Sequence, residues 1–365
     1  MEFSKVFQIE MKTDDRVRGV TAALLAAALF GASTPFSKLL LGRIDPLLLA
    51  GLLYLGSGVG LAMWIGLRTL LAKGQDRESW LQRADLPWLG AAILAGGVIA
   101  PVLLMFGLTV TPASSASLLL NLEGVLTALL AWFVFKENFD RRIFAGMVAI
   151  LLGGLLLSWR SQPELGVPWG SLGIGGACLC WAIDNNLTRK VSAANPAHVA
   201  AIKGLVAGAV NVALALAVGA SIPKVPEIAA AGVLGFLSYG VSLTCFVLAL
   251  RHIGTARTGA YFSTAPFIGA ALSLIILREQ PSLLFWAAGG LMTVGVWLHL
   301  TERHAHPHRH EAMTHDHLHS HDEHHQHIHQ PSDPPGEPHS HVHHHEELTH
   351  THPHYPDIHH RHGHD

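Results

Sequence analysis

From about Val17 to Thr301 the chain runs in blocks of apolar residues, each broken from the next by a short polar loop. The blocks predict helices over roughly 17–41, 46–70, 86–108, 112–135, 142–159, 168–190, 196–219, 227–250, 255–277 and 282–301. A hydrocarbon core about 30 Å thick takes about 20 helical residues to cross. Lipid offers no partner for backbone polar groups, so each crossing must be a closed helix. The pattern therefore predicts an all-α membrane protein of ten transmembrane helices. Short loops favour up-down neighbours. Ten-residue alternating segments are missing, which excludes a transmembrane β-barrel. Residues 1–16 mix acids and bases without a small-residue cleavage site, so the first block is expected to stay as a helix.

Composition sharpens this. Half of the 365 residues are hydrophobic and only 14% are charged, against about a quarter in soluble proteins. The 36 glycines suit helices packed closely in lipid. Cys178 and Cys180 lie two apart on a predicted helix and Cys245 lies in another, so neither a disulfide framework nor a zinc motif follows. Tryptophans 64, 88, 132, 159, 169, 286 and 297 lie near block ends, as an interfacial belt requires.

Lys and Arg fix orientation. One set of alternate loops carries 15 of them and the opposite set only four: Arg43, Arg160, Lys224 and Arg278. Positive charge stays inside, so both termini are expected in the cytoplasm of a bacterial inner membrane.

The two halves resemble each other. Asp45-Pro46 matches Asn195-Pro196, Phe135-Lys136-Glu137 matches Leu277-Arg278-Glu279, and Gly153-Gly154-Leu155 matches Gly295-Val296-Trp297. Each half holds five blocks, an odd number, so the second enters the membrane from the opposite side. This predicts two inverted five-helix repeats, residues 17–160 and 168–302, behind a cytoplasmic segment 1–16 and ahead of a tail 303–365.

These features, with Phe30-Gly31-Ala32-Ser33-Thr34-Pro35, Leu179-Cys180-Trp181-Ala182 and Thr111-Pro112-Ala113-Ser114-Ser115-Ala116-Ser117, resemble the drug/metabolite transporter superfamily, EamA-type. The resemblance implies a ten-helix permease for small organic solutes, most bacterial members being exporters. It also implies a cavity lined by spans 1, 3, 4, 6, 8 and 9. The family's mid-helix proline stands at Pro266 in span 9. The matching position in span 4 is Gly124, so no proline implies a kink there.

Charges at membrane depth are costly, about 2.5–3.5 kcal/mol each on insertion scales, and mark cavities or partners. Lys38 shares a face with Thr34 and is either a pore cation or a lysine reaching the interface. Asn121 and Glu123 fall on different faces of span 4. Glu123 has no cation within a turn, so it must be protonated, wet or paired with another helix; it is the candidate for proton coupling. Asp184-Asn185-Asn186 is the densest polar tract in any span. Lys203 and Asn211 share a face of span 7, and Tyr239 and Tyr261 each need a hydroxyl partner. The candidate substrate-binding set is Lys38, Thr34, Asn121, Asp184, Asn185, Tyr239 and Tyr261. Aligning the repeats sets Thr34 against Asp184 and Lys38 against Thr188. A cation and an anion would then face one cavity suited to a zwitterion or another solute with separated charges.

From His304 the composition changes: 24 of the 27 histidines fall in residues 303–365. Apolar residues are too few for a core, which predicts a disordered His-rich tail. His304, His306, His308 and His310, with His341, His343, His344 and His345, offer imidazoles for Zn, Ni, Co or Cu. With neutral histidines the tail carries three Arg against ten Asp and Glu, and protonation near pH 6 would make it positive. No cofactor is required, and neither a phosphate loop nor a catalytic constellation is visible, so an enzyme is not expected. The expected partners are the lipid bilayer and a small-molecule substrate, with a divalent metal as a further candidate; no nucleic acid is expected. The reading is a secondary transporter, an exporter of a small polar metabolite working by alternating access. Two alternatives stand: a metal-ion or metal-regulated transporter driven by the tail, and a non-transporting membrane scaffold or sensor.

Overall fold

The structure, a computed structural model, describes residues 2–71, 81, 83–135, 141–159, 168–188, 195–300, 305–310, 313–319, 339–345 and 348–353. It divides into two units, Met1–Thr301 and Glu302–Asp365. The first is helical. Its elements are α1 (Glu2–Leu41), α2 (Pro46–Leu71), α3 (Leu86–Ala92), α4 (Ala100–Val110), α5 (Ala113–Leu119), α6 (Leu122–Phe135) and α7 (Arg141–Ser158) in the first half. The second half holds α8 (Trp169–Thr188), α9 (Pro196–Ala217), α10 (Val225–Gly235), α11 (Ser242–Phe262), α12 (Ala265–Ile276) and α13 (Leu283–Leu300).

Helix starts repeat between the halves. Asp45 Oδ1 accepts from the backbone N–H groups of Leu47 and Leu48, at 2.9 and 3.3 Å. Asn195 Oδ1 accepts from those of Ala197 and His198, at 2.8 and 3.4 Å. In both, a proline follows the cap at the first helical position, where its missing N–H costs nothing.

Packing repeats too. Helix α2 lies on α9, α7 on α13 and α5 on α12, each pairing matching members of the two halves. Helix α1 packs on α11 and α12, while α8 packs on α4 and α6. The α2–α9 contact is reciprocal: a Cβ at Gly58 would strike the backbone of Leu205, and one at Gly208 the backbone of Leu55. Small residues allow that approach, the usual device for helices in lipid. In α1 the buried stripe is Ala22, Ala23, Ala26 and Ala27.

Neither half is built of uninterrupted helices. A π-helical segment, Ile93–Ile99, joins α3 to α4, and another, Phe236–Val241, joins α10 to α11. Turns at Leu120–Asn121 and Ser263–Thr264 divide α5 from α6 and α11 from α12. Span 4 therefore breaks although Gly124 stands where span 9 has Pro266: Asn121 N–H reaches Leu118 O and Glu123 N–H reaches Leu120 O, both at 3.1 Å, in tightened three-residue turns.

Among the described residues, seven helices are long and apolar enough to cross a membrane, and Phe144–Ser158 and Leu283–Leu298 are shorter apolar helices. Helix α8 is 20 residues long but is not one of the seven, because it ends in Asp184-Asn185-Asn186. The outer surface is apolar, with Met63, Leu70, Ile275 and Leu283 exposed, which in water would be an aggregation hazard and in lipid is the required finish.

In the second unit, strand β1 (Ala305–His310) pairs antiparallel with β4 (Leu348–Pro353), and β2 (Met313–His319) with β3 (His339–His345).

Candidate functional site

Helix α8 carries the polar centre. Asp184 lies one turn from its end, and Lys203 lies about two turns into α9. The Lys203 ammonium donates to Asp184 Oδ1 at 2.5 Å and Oδ2 at 2.7 Å, with side chains only 18% and 9% exposed. Thr188, one turn below Asp184, donates to Oδ1 at 2.9 Å and accepts from Lys203 at 3.3 Å. The result is a compact, nearly neutral triad that ties α8 to α9.

The π-helical segment of span 3 lies against it. A Cβ at Gly96 would overlap the Asp184 carboxylate, so this residue must be glycine for the helices to meet. The wide π turn frees carbonyls, and side chains from three other helices take them. Tyr54 donates to Gly96 O at 2.8 Å, and Trp181 Nε1 donates to the same oxygen at 2.9 Å. Asn211 donates to Gly97 O and Val98 O at 3.2 and 3.3 Å. Its own Oδ1 is a buried acceptor with no hydrogen-bond partner, as is Asn186 Oδ1.

The break in span 4 brings a second carboxyl to α8. Glu123 sits in the first turn of α6, where the helix dipole favours negative charge. Its Oε1 accepts from Asn185 Nδ2 at 2.9 Å, and Asn185 also reaches Thr127 Oγ1 at 3.4 Å. The two carboxyls are held differently. Asp184 meets a cation, whereas Glu123 meets the neutral amide of Asn185.

Aromatic rings wall the neighbouring space. Tyr239, in the π segment of span 8, lies 5.6 Å from Tyr54 and 6.0 Å from Phe30, ring centre to ring centre. Phe262 continues the wall, 5.4 Å from Phe30 and 4.9 Å from Phe246.

Of the predicted site residues, Asp184, Asn185, Glu123 and Tyr239 come together. Lys38 does not oppose Asp184. Its ammonium donates to the carbonyls of Leu108, Thr109 and Thr111, capping the C-terminal end of α4. Across the same junction, Pro112 has no side-chain acceptor to cap α5. Glu279 supplies one from the loop before α13, accepting from Ala113 and Ser114 N–H at 2.7 and 2.9 Å. The preceding Arg278 adopts φ 52°, a conformation costly for a residue with a Cβ. Thr34 is buried in α1. Asn121 faces the Leu118 carbonyl, at 2.9 Å, and the Met292 sulfur, away from the triad. Tyr261 packs with Ala22, Ala23, Ala249 and Ile253. Sequence reasoning passed over Tyr54 and the role of Lys203; the Gly96-Gly97 pair in span 3 was the available signal for both.

No group of three or more His, Cys, Asp or Glu able to hold a metal occurs among the described residues. His304 and Glu137 lie outside them, and so do the side chains of His306, His308, His310, His341, His343, His344 and His345.

The model of the EamA-like transporter family matches twice, over residues 17–159 and 168–301. An uncharacterized transporter of Methanothermobacter thermautotrophicus is 28% identical over 299 residues, covering 78% of this chain and 86% of its own. The uncharacterized inner membrane transporter YedA of Escherichia coli K12 is 23% identical, covering 69% and 80%. The probable 4-amino-4-deoxy-L-arabinose-phosphoundecaprenol flippase subunit ArnE of Pseudomonas paraeruginosa is 39% identical over 80 residues, 22% of this chain and 69% of its own. A crystal structure at 19% identity shares the fold, with TM-score 0.56 over 78% of this chain and 95% of that one. The two matched segments together cover most of the helical unit, and the chain belongs to the EamA-like transporter family.

Proposed function

We propose that this protein is a secondary transporter, an exporter of a small polar organic metabolite across a bacterial inner membrane. Ten helices in two inverted repeats carry it, with both termini cytoplasmic. The observation that carries the reading is that neighbouring residues of α8, Asp184 and Asn185, hold Lys203 of α9 and Glu123 of α6, beside interruptions in spans 3 and 4. Charges and unwound backbone at membrane depth are tolerated where they line a cavity, and broken helices are the usual setting of a transport site. Reciprocal packing of matching helices, matching caps and matching breaks support the inverted repeat and a rocking of one half against the other.

In this reading Asp184 and Lys203 form a switchable pair between α8 and α9. Glu123 carries the coupling proton. Asn185, Asn186, Asn211, Tyr54 and Tyr239 supply hydrogen bonds to the solute. Lys38 and Glu279 hold the span 3–span 4 junction. The site thus suits a solute bearing a donor or cationic group and an apolar face better than the symmetric charge pair expected from the sequence.

An untargeted comparison of metabolites inside and outside cells with and without the protein should name candidates, and proteoliposomes should then carry one of them saturably. A protein inserted intact that moves none of the candidates would refute the reading.

A further inference from the structure

Span 3 gives way to span 4 at Thr111 (φ −110°, ψ 139°) and Pro112 (φ −56°, ψ 140°), both outside the helical region. Pro112 has no N–H, so it withholds the helical donor from Leu108 O, four residues back. Lys38 supplies one: its ammonium meets that carbonyl and reaches Thr109 O at 3.2 Å and Thr111 O at 3.0 Å. Glu279 takes the backbone N–H groups just past the junction, those of Ala113 and Ser114. Positive charge thus sits on free carbonyls and negative charge on free N–H groups, the sign that each prefers. The two side chains come from opposite halves of the chain, Lys38 from α1 and Glu279 from the segment between α12 and α13.

Helices α1, α5 and α12 pack on one another at this junction. Their shared seam is small and polar: Ser33, Thr34 and Ser37 of α1, Ser114 and Ser117 of α5 and Ser273 of α12 are all buried. A Cβ at Gly31 would strike Ala265 O, and one at Gly269 would strike Gly31 O and Ser117 Oγ. Pro35 withholds from Gly31 O its helical donor. Among the described residues the hydroxyls of Ser37 and Ser117 meet no hydrogen-bond partner. Buried hydroxyls without partners are costly, and water relieves that cost. Such a seam parts into a wet surface far more readily than an apolar one, which burial holds shut. We infer that Lys38 and Glu279 are a latch that closes this end of the bundle, and that the α1–α5–α12 seam lines the solute path once the latch is released. The latch rests on the transport reading and gives it a gate. Release also frees Arg278 from φ 52°, a conformation held only while Glu279 is engaged.

Thiol accessibility tests the latch without a solute. In a background without Cys178, Cys180 and Cys245, Ser117→Cys reports on the seam, and Ser57→Cys, buried in α2, reports on the rest of the bundle. Each is challenged with a membrane-impermeant methanethiosulfonate in right-side-out and inverted vesicles, with the latch intact and with Lys38→Met or Glu279→Ala added. Each latch substitution should speed labelling of Ser117→Cys by on the order of tenfold or more, from one side of the membrane only, and leave Ser57→Cys unchanged. Unchanged labelling of Ser117→Cys in both variants would overturn the latch. Equal acceleration at Ser57→Cys would overturn it too, because it marks general loosening. Seam labelling that responds to the latch, in a protein that carries no candidate solute in proteoliposomes, would refute the transport reading while upholding the latch.

Discussion

Breaking the Asp184–Lys203 pair should cost far more than a surface ion pair would. Both carboxylate oxygens lie within 2.7 Å of the ammonium, and the side chains are 9% and 18% exposed. Lys203→Met leaves the carboxylate with the Thr188 hydroxyl as donor but without its cation. Asp184→Asn leaves an ammonium facing an amide and a hydroxyl. Removing one partner of a buried pair typically costs about 3–5 kcal/mol, because the other charge stays behind unpaired. Removing both costs less, since no charge is left uncompensated. Asp184→Asn and Lys203→Met should therefore each destabilise the helical unit by about 3–5 kcal/mol, on the order of 10 °C in melting temperature. The double variant should fall short of the sum by about 2–3 kcal/mol. Reversible unfolding in mixed micelles, run as a double-mutant cycle, measures this. Singles within about 0.5 kcal/mol of wild type, or a double that is strictly additive, would refute the pairing as a structural element.

Gly96→Ala should push the span 3 π turn off Asp184 and cost about 1–3 kcal/mol, seen as a lower melting temperature, whereas Gly90→Ala, where a Cβ meets nothing, should be neutral. Glu279→Gln removes the charge from the caps on Ala113 and Ser114, and a loss of about 1 kcal/mol is expected in the same unfolding assay. Glu123→Gln should leave the protein folded but uncouple solute flux from an imposed proton gradient in proteoliposomes; flux with wild-type gradient dependence would remove Glu123 from coupling. Deleting residues 304–365 should leave solute flux intact, and its loss in a correctly inserted protein would put the tail in the mechanism.

What the sequence made legible was whatever is local. Apolar periodicity is a property of each segment, so most helices fall where the blocks predict, although α11 (Ser242–Phe262) runs through the loop expected between 250 and 255, and Asp45-Pro46 and Asn195-Pro196 act as caps in place. Polar residues that matter stood out because they are costly in lipid. Their partners did not, since pairing depends on how helices rotate against one another. Repeat alignment set Lys38 near Asp184, yet α4 ends where Lys38 reaches, and three carbonyls claim its ammonium. Lys203 shows in the sequence only a face shared with Asn211; docking α9 on α2 is what turns it toward Asp184. The π turn of span 8 carries no proline, whereas Pro101, just past the π turn of span 3, lacks the N–H that would meet Gly97 O and with Gly96-Gly97 was the signal for that turn. Tyr54 reads as packing until the carbonyl that its hydroxyl meets is exposed by that turn.

The central claim, two halves inverted about a shared site, can be tested without knowing the solute. Arg83 and Lys224 are both exposed and both stand just ahead of the third helix of their half. In a background without Cys178, Cys180 and Cys245, single cysteines at these positions can be challenged with a membrane-impermeant maleimide in right-side-out and inverted vesicles. Inversion requires Arg83→Cys to label only in inverted vesicles and Lys224→Cys only in right-side-out ones. Labelling of both from the same side would contradict the inverted repeat and the alternating-access mechanism built on it.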